Sequence, residues 1–440
     1  MTKEELLTKK ISAISLGCDK NRVDLEKMLF RLKKYGFEVV SEEDEAQILI
    51  VNTCAFIEPA KQEAVANIFQ ALRLKTIANV EKVIVTGCLP ERYIDDLLKD
   101  IPEVDAYVRL RDNVNICNII EELYGMAKSK QKPQNGRVLT AGSTYAYLKI
   151  ADGCNNVCSY CTIPRIRGRY ISEKIEDLVD EAKNLAQMGV KELVLVAQDT
   201  TSYGNDIYGK PSLIDLCKQL IKIKEIKWIR IHYAYPELID DELLSFIQKE
   251  EKMCKYLDIP LQHIDDSILK SMRRRLNEED TRKLITKIRT VYPEIKIRST
   301  FIVGYPGETG AQFKKLCSFL EEVQLDYVGF FPYYREEGTV SSYLKGQVHQ
   351  YIKKMRLKKV QKLQSRIAEK KLWSLIGQEI CVLVDEFSCQ SGYYIGHANF
   401  MSKGVDFNVK IEDNNDIEIG SFKIVRITDF DGEYLKGEIV

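Results

Sequence analysis

Ala151-Asp-Gly-Cys154-Asn-Asn-Val-Cys158-Ser-Tyr160-Cys161-Thr-Ile-Pro164 is the stretch on which the reading of this chain turns. Its cysteines follow a Cys-x3-Cys-x2-Cys spacing, so one short loop offers three thiolates. An iron–sulfur cube is normally held by four cysteine thiolates, and so is an all-cysteine structural zinc. A loop with three leaves one metal position open, and an open position is where a substrate or cosubstrate can bind and react. Half of a zinc ribbon is the competing reading, but a ribbon repeats its Cys-x2-Cys pair within about 15–20 residues. The next cysteine here is Cys217, alone and distant.

The loop resembles the cluster-binding loop of radical S-adenosylmethionine (SAM) enzymes, and Tyr160, just before the last cysteine, fits the same pattern. The resemblance implies a 4Fe–4S cluster on Cys154, Cys158 and Cys161. It further implies that the methionine part of SAM chelates the open iron and that one electron cleaves SAM to a 5′-deoxyadenosyl radical.

Working outward, the central region alternates between apolar runs and helical stretches. Strands are expected at Tyr147–Ile150, Leu193–Ala197, Ile229–His232, Tyr256–Ile259, Lys296–Val303 and Tyr327–Phe331, with helices such as Ile175–Met188 and Glu278–Val291 between them. Six such units suggest a partial (β/α)6 barrel, open on one side, with its chemistry at the carboxyl ends of the strands. The first strand runs straight into the cysteine loop. Polar and glycine-rich segments follow other strands, including Val196-Ala-Gln-Asp-Thr-Thr-Ser-Tyr-Gly204, Pro260-Leu-Gln-His263 and Ile302-Val-Gly-Tyr-Pro-Gly-Glu-Thr309. They resemble the SAM-binding motifs of the family, which makes Gln198, Gly304 and Glu308 candidate SAM contacts. A Gly-Tyr-Pro-Gly-Glu segment is by itself only a turn, and His263 reads equally well as a structural histidine.

The N-terminal third shows three shorter apolar runs, Ile11–Leu16, Ile48–Val51 and Val83–Val85, separated by helical stretches such as Val23–Tyr35 and Ala60–Leu74. This is the pattern of an open parallel α/β domain. A cysteine follows each run, in Gly17-Cys18, Thr53-Cys54 and Gly87-Cys88. Ligands of open α/β sheets bind outside the carboxyl ends of the strands, so the three are expected to converge. The alternative is three buried packing cysteines.

Ser15-Leu-Gly-Cys-Asp-Lys-Asn-Arg-Val-Asp24, Val51-Asn-Thr-Cys-Ala-Phe-Ile-Glu-Pro-Ala-Lys-Gln-Glu63 and Val85-Thr-Gly-Cys-Leu-Pro-Glu-Arg92 resemble the N-terminal domain of the radical SAM methylthiotransferases. Asp19 stands where many relatives have proline. The resemblance implies that Cys18, Cys54 and Cys88 hold an auxiliary 4Fe–4S cluster, which carries or supplies the sulfur that is transferred. It also implies that both clusters face one cavity. One SAM would methylate that sulfur, and a second would generate the radical that takes a hydrogen from the target carbon.

A basic segment, Tyr351–Lys371, carries nine Lys/Arg and one Glu, with apolar residues at helical spacing. It reads first as a solvated connector and second as an RNA contact. Beyond it, short runs at Glu379–Val384, Tyr393–Ala398, Phe407–Ile411, Phe422–Phe430 and Gly432–Val440 suggest a small antiparallel β-barrel of the oligonucleotide-binding shape. That segment resembles the TRAM domain. Residues 376–440 hold five Lys/Arg and twelve Asp/Glu, a balance of −7. Phosphate binding requires positive charge, so this face suits a basic protein better. The acidic barrel and the flanking motifs favour the RimO-type branch, which adds a methylthio group to the β-carbon of an aspartate in ribosomal protein S12. The other branch modifies isopentenylated adenosine in transfer RNA. A third reading is a non-enzymatic iron–sulfur or zinc protein that binds a ribosomal partner.

The expected organisation is thus three domains over residues 1–135, 140–372 and 375–440, within the two to four that 440 residues allow. Lys plus Arg and Asp plus Glu are equal at 65 each, so whole-chain charge points to no partner. No run of about 18 apolar residues occurs, so no membrane partner is expected. The charged N-terminus lacks a signal-peptide core, and a cytoplasmic location is expected. Twelve cysteines in a reducing compartment argue for metal binding or catalysis rather than disulfides. The remaining six, Cys117, Cys217, Cys254, Cys317, Cys381 and Cys389, read as packing residues. A reducing partner such as flavodoxin or ferredoxin is implied by the chemistry.

Overall fold

The computed structural model describes residues 2–128, 134–140, 142–389, 392–412 and 416–440. Residues 129–133, inside the expected first domain, lie outside the described ones. The chain forms two compact units. One comprises Met1–Thr140, Asp152–Asn155 and Thr162–Arg169, and the other Ala141–Ala151, Asn156–Cys161 and Tyr170–Val440.

The first unit runs α1 (Lys3–Leu7), β1 (Lys10–Ser15), α2 (Asp19–Tyr35), β2 (Glu38–Val39), β3 (Ile48–Thr53), α3 (Glu58–Ile77), β4 (Lys82–Gly87), α4 (Cys88–Asp100), β5 (Ala106–Val108) and α5 (Ile116–Leu123). The sheet has the order β2-β1-β3-β4-β5, with every pairing parallel. β3 is buried at every position, the mark of a strand covered on both faces. Successive side chains serve opposite cores. Leu49, Val51, Val83 and Val85 pack with Ile68 and Ala71, whereas Ile48, Ile50 and Ile84 pack with Leu25, Met28 and Ile120. The three expected strands are β1, β3 and β4. The short edge strands β2 and β5 carry too few residues for a periodic signal.

Two short strands, β6 (Tyr145–Lys149) and β7 (Ala151–Asp152), precede the cysteine loop, and α6 (Ile163–Ile166) and β8 (Ile171–Ser172) follow it. The second unit continues with α7 (Ile175–Gln187), β9 (Glu192–Val196), α8 (Leu213–Leu220), β10 (Trp228–Ile231), α9 (Asp241–Lys249), β11 (Met253–Gln262), α10 (Asp266–Ser271), α11 (Glu278–Val291), β12 (Lys296–Val303), α12 (Gly310–Val323) and β13 (Tyr327–Pro332). Its parallel sheet has the order β13-β12-β11-β10-β9-β6, with β13 and β6 as edges. This is the expected partial barrel. β11 is longer than expected, and its register shifts against β12 between Ile259 and Gln262.

Helix α13 (Gln350–Trp373) leads into β14 (Glu379–Ser388), β15 (Tyr393–Ala398), β16 (Asn408–Ile411), β17 (Phe422–Phe430) and β18 (Tyr434–Ile439). These five close into a barrel in the order β14-β15-β16-β18-β17. All pairings are antiparallel except β16 with β18, which is parallel. An odd number of strands cannot alternate direction all the way round a closed ring, so one parallel pair is obligatory. The barrel core is continuous with Trp228, Cys254, Tyr256 and Tyr327 of the central sheet.

Several basic residues of α13 are engaged inside the fold. Lys353 Nζ donates to the Tyr333 carbonyl at 2.7 Å, Arg356 pairs with Glu308 at 3.0 Å, and Lys371 pairs with Asp326 at 2.6 Å. Cys217, Cys254 and Cys317 are packing residues as expected, but Cys381 and Cys389 are exposed. The strand alternation explains Cys381, because Ile380 and Val382 on either side of it point into the barrel core.

Candidate functional site

In the first unit, the order of the sheet reverses between β1 and β3, and such a switch point is where open α/β sheets bind ligands. Cys18 follows β1 as the residue before α2, Cys54 follows β3 directly, and Cys88 follows β4 directly and opens α4. The structure brings these strand ends into contact. Gly17 has a φ of +91°, and a β-carbon there would lie 2.7 Å from Cys54 Cβ. A β-carbon on Gly87 would lie 2.3 Å from the Thr53 carbonyl oxygen. Beneath the cysteines, Asn21 Nδ2 donates to the Leu16 carbonyl at 2.8 Å and the Thr53 carbonyl at 3.2 Å. Thr53 Oγ1 donates to the Thr86 carbonyl at 2.6 Å. These bonds fix the three strand ends at one level.

Arg167 is the cation of this site. Its guanidinium is almost wholly buried, pairs with Asp24 at 3.0 Å and Asp152 at 2.9 Å, and lies 3.9 Å from Cys88 Sγ. Burial raises the Cys54 thiol above its ordinary range. It pushes Cys88 up to about 12, against the opposing pull of Arg167. Both thiols are therefore protonated at neutral pH unless a metal displaces the proton, as a coordinated metal does outright.

The loop Cys154 to Cys161 is anchored from several elements. Cys154 N donates to the Gly168 carbonyl at 3.1 Å, and Gly153, at φ +72°, sits where a β-carbon would be 2.1 Å from the Arg169 carbonyl oxygen. Further along, Asn156 Nδ2 donates to Asp199 at 3.1 Å, and Asp199 also accepts from Thr201 Oγ1 at 2.6 Å and Ser202 Oγ at 2.8 Å. Ser159 Oγ donates to the Ser271 carbonyl at 2.8 Å and lies 2.7 Å from the Tyr305 hydroxyl. Cys158 Sγ is 2.9 Å from Tyr235 Oη and 3.8 Å from Arg274 Nη1. The Arg274 guanidinium stacks on the Tyr235 ring at 4.0 Å, and its Nη2 donates to the Pro260 carbonyl at 2.8 Å.

All six cysteines of the two trios are free thiols, and soft thiolates suit iron–sulfur clusters or zinc. Among the described residues, no three of His, Cys, Asp or Glu lie close enough to share a single metal ion. A cube makes a different demand, since each of its irons takes its own thiolate. A disulfide-free, buried to half-buried trio at a ligand-binding edge fits that group.

The candidate SAM contacts divide. Gln198 is half-buried in the loop after β9. Gly304, at φ +73°, leaves no room for a β-carbon, which would lie 2.4 Å from Lys353 Cγ. Glu308 is committed within the fold. Its carboxylate accepts from the Gly304 and Tyr305 backbone N–H groups and pairs with Arg356. Burial holds its pKa above the ordinary range, opposed by those partners. It thereby fixes the Gly304 turn. His263 is buried, its Nδ1 accepts from Asp265 N at 3.0 Å, and burial lowers its pKa to about 4, so it is neutral.

Sequence reasoning passed over Arg167, Asp199, Tyr235 and Arg274. Arg274 lies in the run Arg273-Arg274-Arg275, which looks like a solvated basic patch, yet only the middle residue is buried. No local pattern marks it.

Three family models match the chain. They are the Uncharacterized protein family UPF0004 over residues 10–109, the Radical SAM superfamily over 148–320 and the TRAM domain over 376–440. Ribosomal protein uS12 methylthiotransferase RimO of Thermoanaerobacter sp. (strain X514) is 43% identical over 429 residues, covering 96% of this chain and 98% of that protein. The protein of the same name from Geotalea uraniireducens (strain Rf4) is 44% identical over 444 residues, covering 99% of both. Among solved structures, the radical S-adenosylmethionine methyltransferase TsrM from Kitasatospora setae superposes with a TM-score of 0.55 at 13% identity, covering 74% of this chain and 72% of its own. That likeness is one of fold.

Proposed function

The chain belongs to the RimO-type branch of the radical SAM methylthiotransferases, and from that premise we propose that it adds a methylthio group to the β-carbon of an aspartate in ribosomal protein uS12. The observation that carries the reading is the pair of free cysteine trios at strand carboxyl ends, in a chain alike to RimO proteins over nearly its whole length. We assign the auxiliary cluster to residues 1–135, the radical chemistry to 140–372 and a partner-docking role to the TRAM barrel, 375–440.

Cys154, Cys158 and Cys161 would hold one 4Fe–4S cluster, and Cys18, Cys54 and Cys88 the other. When bound, the clusters and SAM supply one-electron reduction, hydrogen-atom abstraction and a methyl group. The chain's own residues do the rest. Asp199 and Ser159 hold the Cys154 loop in register through Asn156, the Ser271 carbonyl and Tyr305. Glu308 holds the Gly304 turn, whose backbone would meet SAM, with Gln198 as a polar contact from the neighbouring strand end. Arg167 keeps positive charge beside Cys88. The −7 barrel would receive a basic protein in the cytoplasm. With Lys353, Arg356 and Lys371 engaged inside the fold, α13 offers less to a transfer-RNA substrate. Flavodoxin or ferredoxin would deliver the electrons.

The test is mass spectrometry of uS12 after incubation with the anaerobically reconstituted chain, SAM and a reductant. Gain of one methylthio mass on an aspartate is expected. Cys154→Ala should abolish SAM cleavage, and Cys18→Ala should retain cleavage without thiolation. Undiminished cleavage in Cys154→Ala, or modification of transfer RNA with uS12 unchanged, would exclude the reading.

A further inference from the structure

Two buried arginines aim at cysteine sulfurs, and they differ in one respect. Arg167 is met by two carboxylates, Asp24 and Asp152. Arg274 makes no ion pair among the described residues. Its partners are the Pro260 carbonyl, the Tyr235 ring and the Cys158 sulfur. Arg167 thus has two carboxylates at ion-pair distance, whereas Arg274 has none among the described residues, the Glu237 carboxylate acting on it only from farther away.

The local backbone is built to put Arg274 beside Cys158. Helix α10 ends at Ser271, and Arg273 adopts a left-handed conformation at φ +59°. Arg273 N donates to the Lys270 carbonyl at 3.0 Å and Arg274 N to the Leu269 carbonyl at 2.9 Å, closing the helix end. That conformation costs a residue other than glycine roughly 1–2 kcal/mol, and such strain persists where the surroundings over-determine it. Here it turns the next side chain inward, so Arg274 is buried while its two neighbours are exposed. On the other side, the Tyr235 hydroxyl lies 2.9 Å from Cys158 Sγ, within reach to donate its O–H to a ligating sulfur.

We propose that Tyr235 and Arg274 are positioning residues that raise the reduction potential of the cluster held by Cys154, Cys158 and Cys161, through hydrogen bonds and charge directed at the Cys158 sulfur. This rests on the assignment of those cysteines as cluster ligands. A doubly positive cube with three thiolates carries one negative charge and gains a second when it takes up an electron. Donors and cations at the sulfurs stabilise the more negative state, and hydrogen bonds to sulfur are among the factors that set these potentials. Beside Cys88, the positive charge of Arg167 is shared with Asp24 and Asp152. The electron would therefore be drawn to the cluster that must cleave SAM.

The test uses the full chain with Cys18, Cys54 and Cys88 all replaced by alanine, so that a single cluster titrates. After anaerobic reconstitution, iron per chain is measured and the midpoint potential is followed by electron paramagnetic resonance. Tyr235→Phe keeps the ring on which Arg274 stacks and removes only the hydroxyl. It should shift the midpoint to more negative potential at unchanged iron content. Arg274→Gln should shift it further in the same direction, with Arg274→Lys between the two. SAM cleavage should then slow more with a weak reductant than with a strong one. Midpoints equal to the parent at full iron loading would overturn the proposal. Loss of iron in Tyr235→Phe would also overturn it, making the residue a structural support. A parent that binds no cluster would overturn the ligand assignment itself, an outcome distinct from an unshifted midpoint.

Discussion

Gly17 has no room for a β-carbon. Its position against Cys54 and its positive φ together make any side chain costly. Gly17→Ala should therefore destabilise the first unit by about 1–2 kcal/mol and displace Cys54. The measurable outcome is loss of roughly half the bound iron, with the signal of the other cluster retained. Full iron loading would show that the strand ends can yield. That Cys18, Cys54 and Cys88 each follow a strand could be read from their place after apolar runs. Arg167 and Arg274 were not legible, because an arginine that will be buried looks like any other until the chain around it is folded. Glu308 was legible as a polar residue at a strand end, but its commitment to Arg356, 48 positions away, was not.

At the level of elements, the continuous apolar run of β3 could be read directly from residue order, whereas Cys381, read as a packing residue, proves exposed by strand alternation. The two-residue β2 and the three-residue β5 could not be read, since so short an edge strand has no period. The closing pair β16 and β18 was hidden for a different reason. Its parallel sense follows from the count of strands in a closed ring, which no single strand records. Within that ring, Gly396 lies where a β-carbon would be 2.3 Å from the Leu383 carbonyl oxygen, beside the register shift of β14 and β15. Gly396→Val should force the two strands apart, costing about 1–3 kcal/mol as an overpacked core does. Thermal unfolding should record it, and an unchanged transition would exclude so close a pairing.

Across the second unit, the TRAM barrel is joined to the central sheet by buried charge. His397 Nε2 meets Glu192 at 2.5 Å and its Nδ1 meets Asp385 at 2.7 Å, while Arg230 Nε donates to Glu192 at 2.6 Å. Burial alone would lower the His397 pKa, but Glu192 and Asp385 outweigh it and push it up to about 9. For Glu192, burial would raise the value, but Arg230 and His397 bring it down to about 2. A histidine raised above its unfolded value of 6.5 contributes stability that is complete below that pH and lost as pH rises through about 9. Glu192 works in the opposite sense, and its contribution is lost as pH falls below 4.5 towards about 2. Thermal stability is expected to decline between about pH 6.5 and 9. His397→Gln should lower stability at about pH 6 by roughly 3–5 kcal/mol and flatten that decline. A native chain indifferent to pH over this range would refute the account. Partners 205 residues apart leave no trace in local sequence, so this joint could be found only in the folded chain.

Arg274 also bears on how the protein matures. A buried guanidinium with no carboxylate at ion-pair distance among the described residues is better balanced once an anionic cluster is built beside it. A newly made chain awaiting its metal should accordingly be cut faster by protease around this loop than the loaded one, and equal rates of cleavage would refute that.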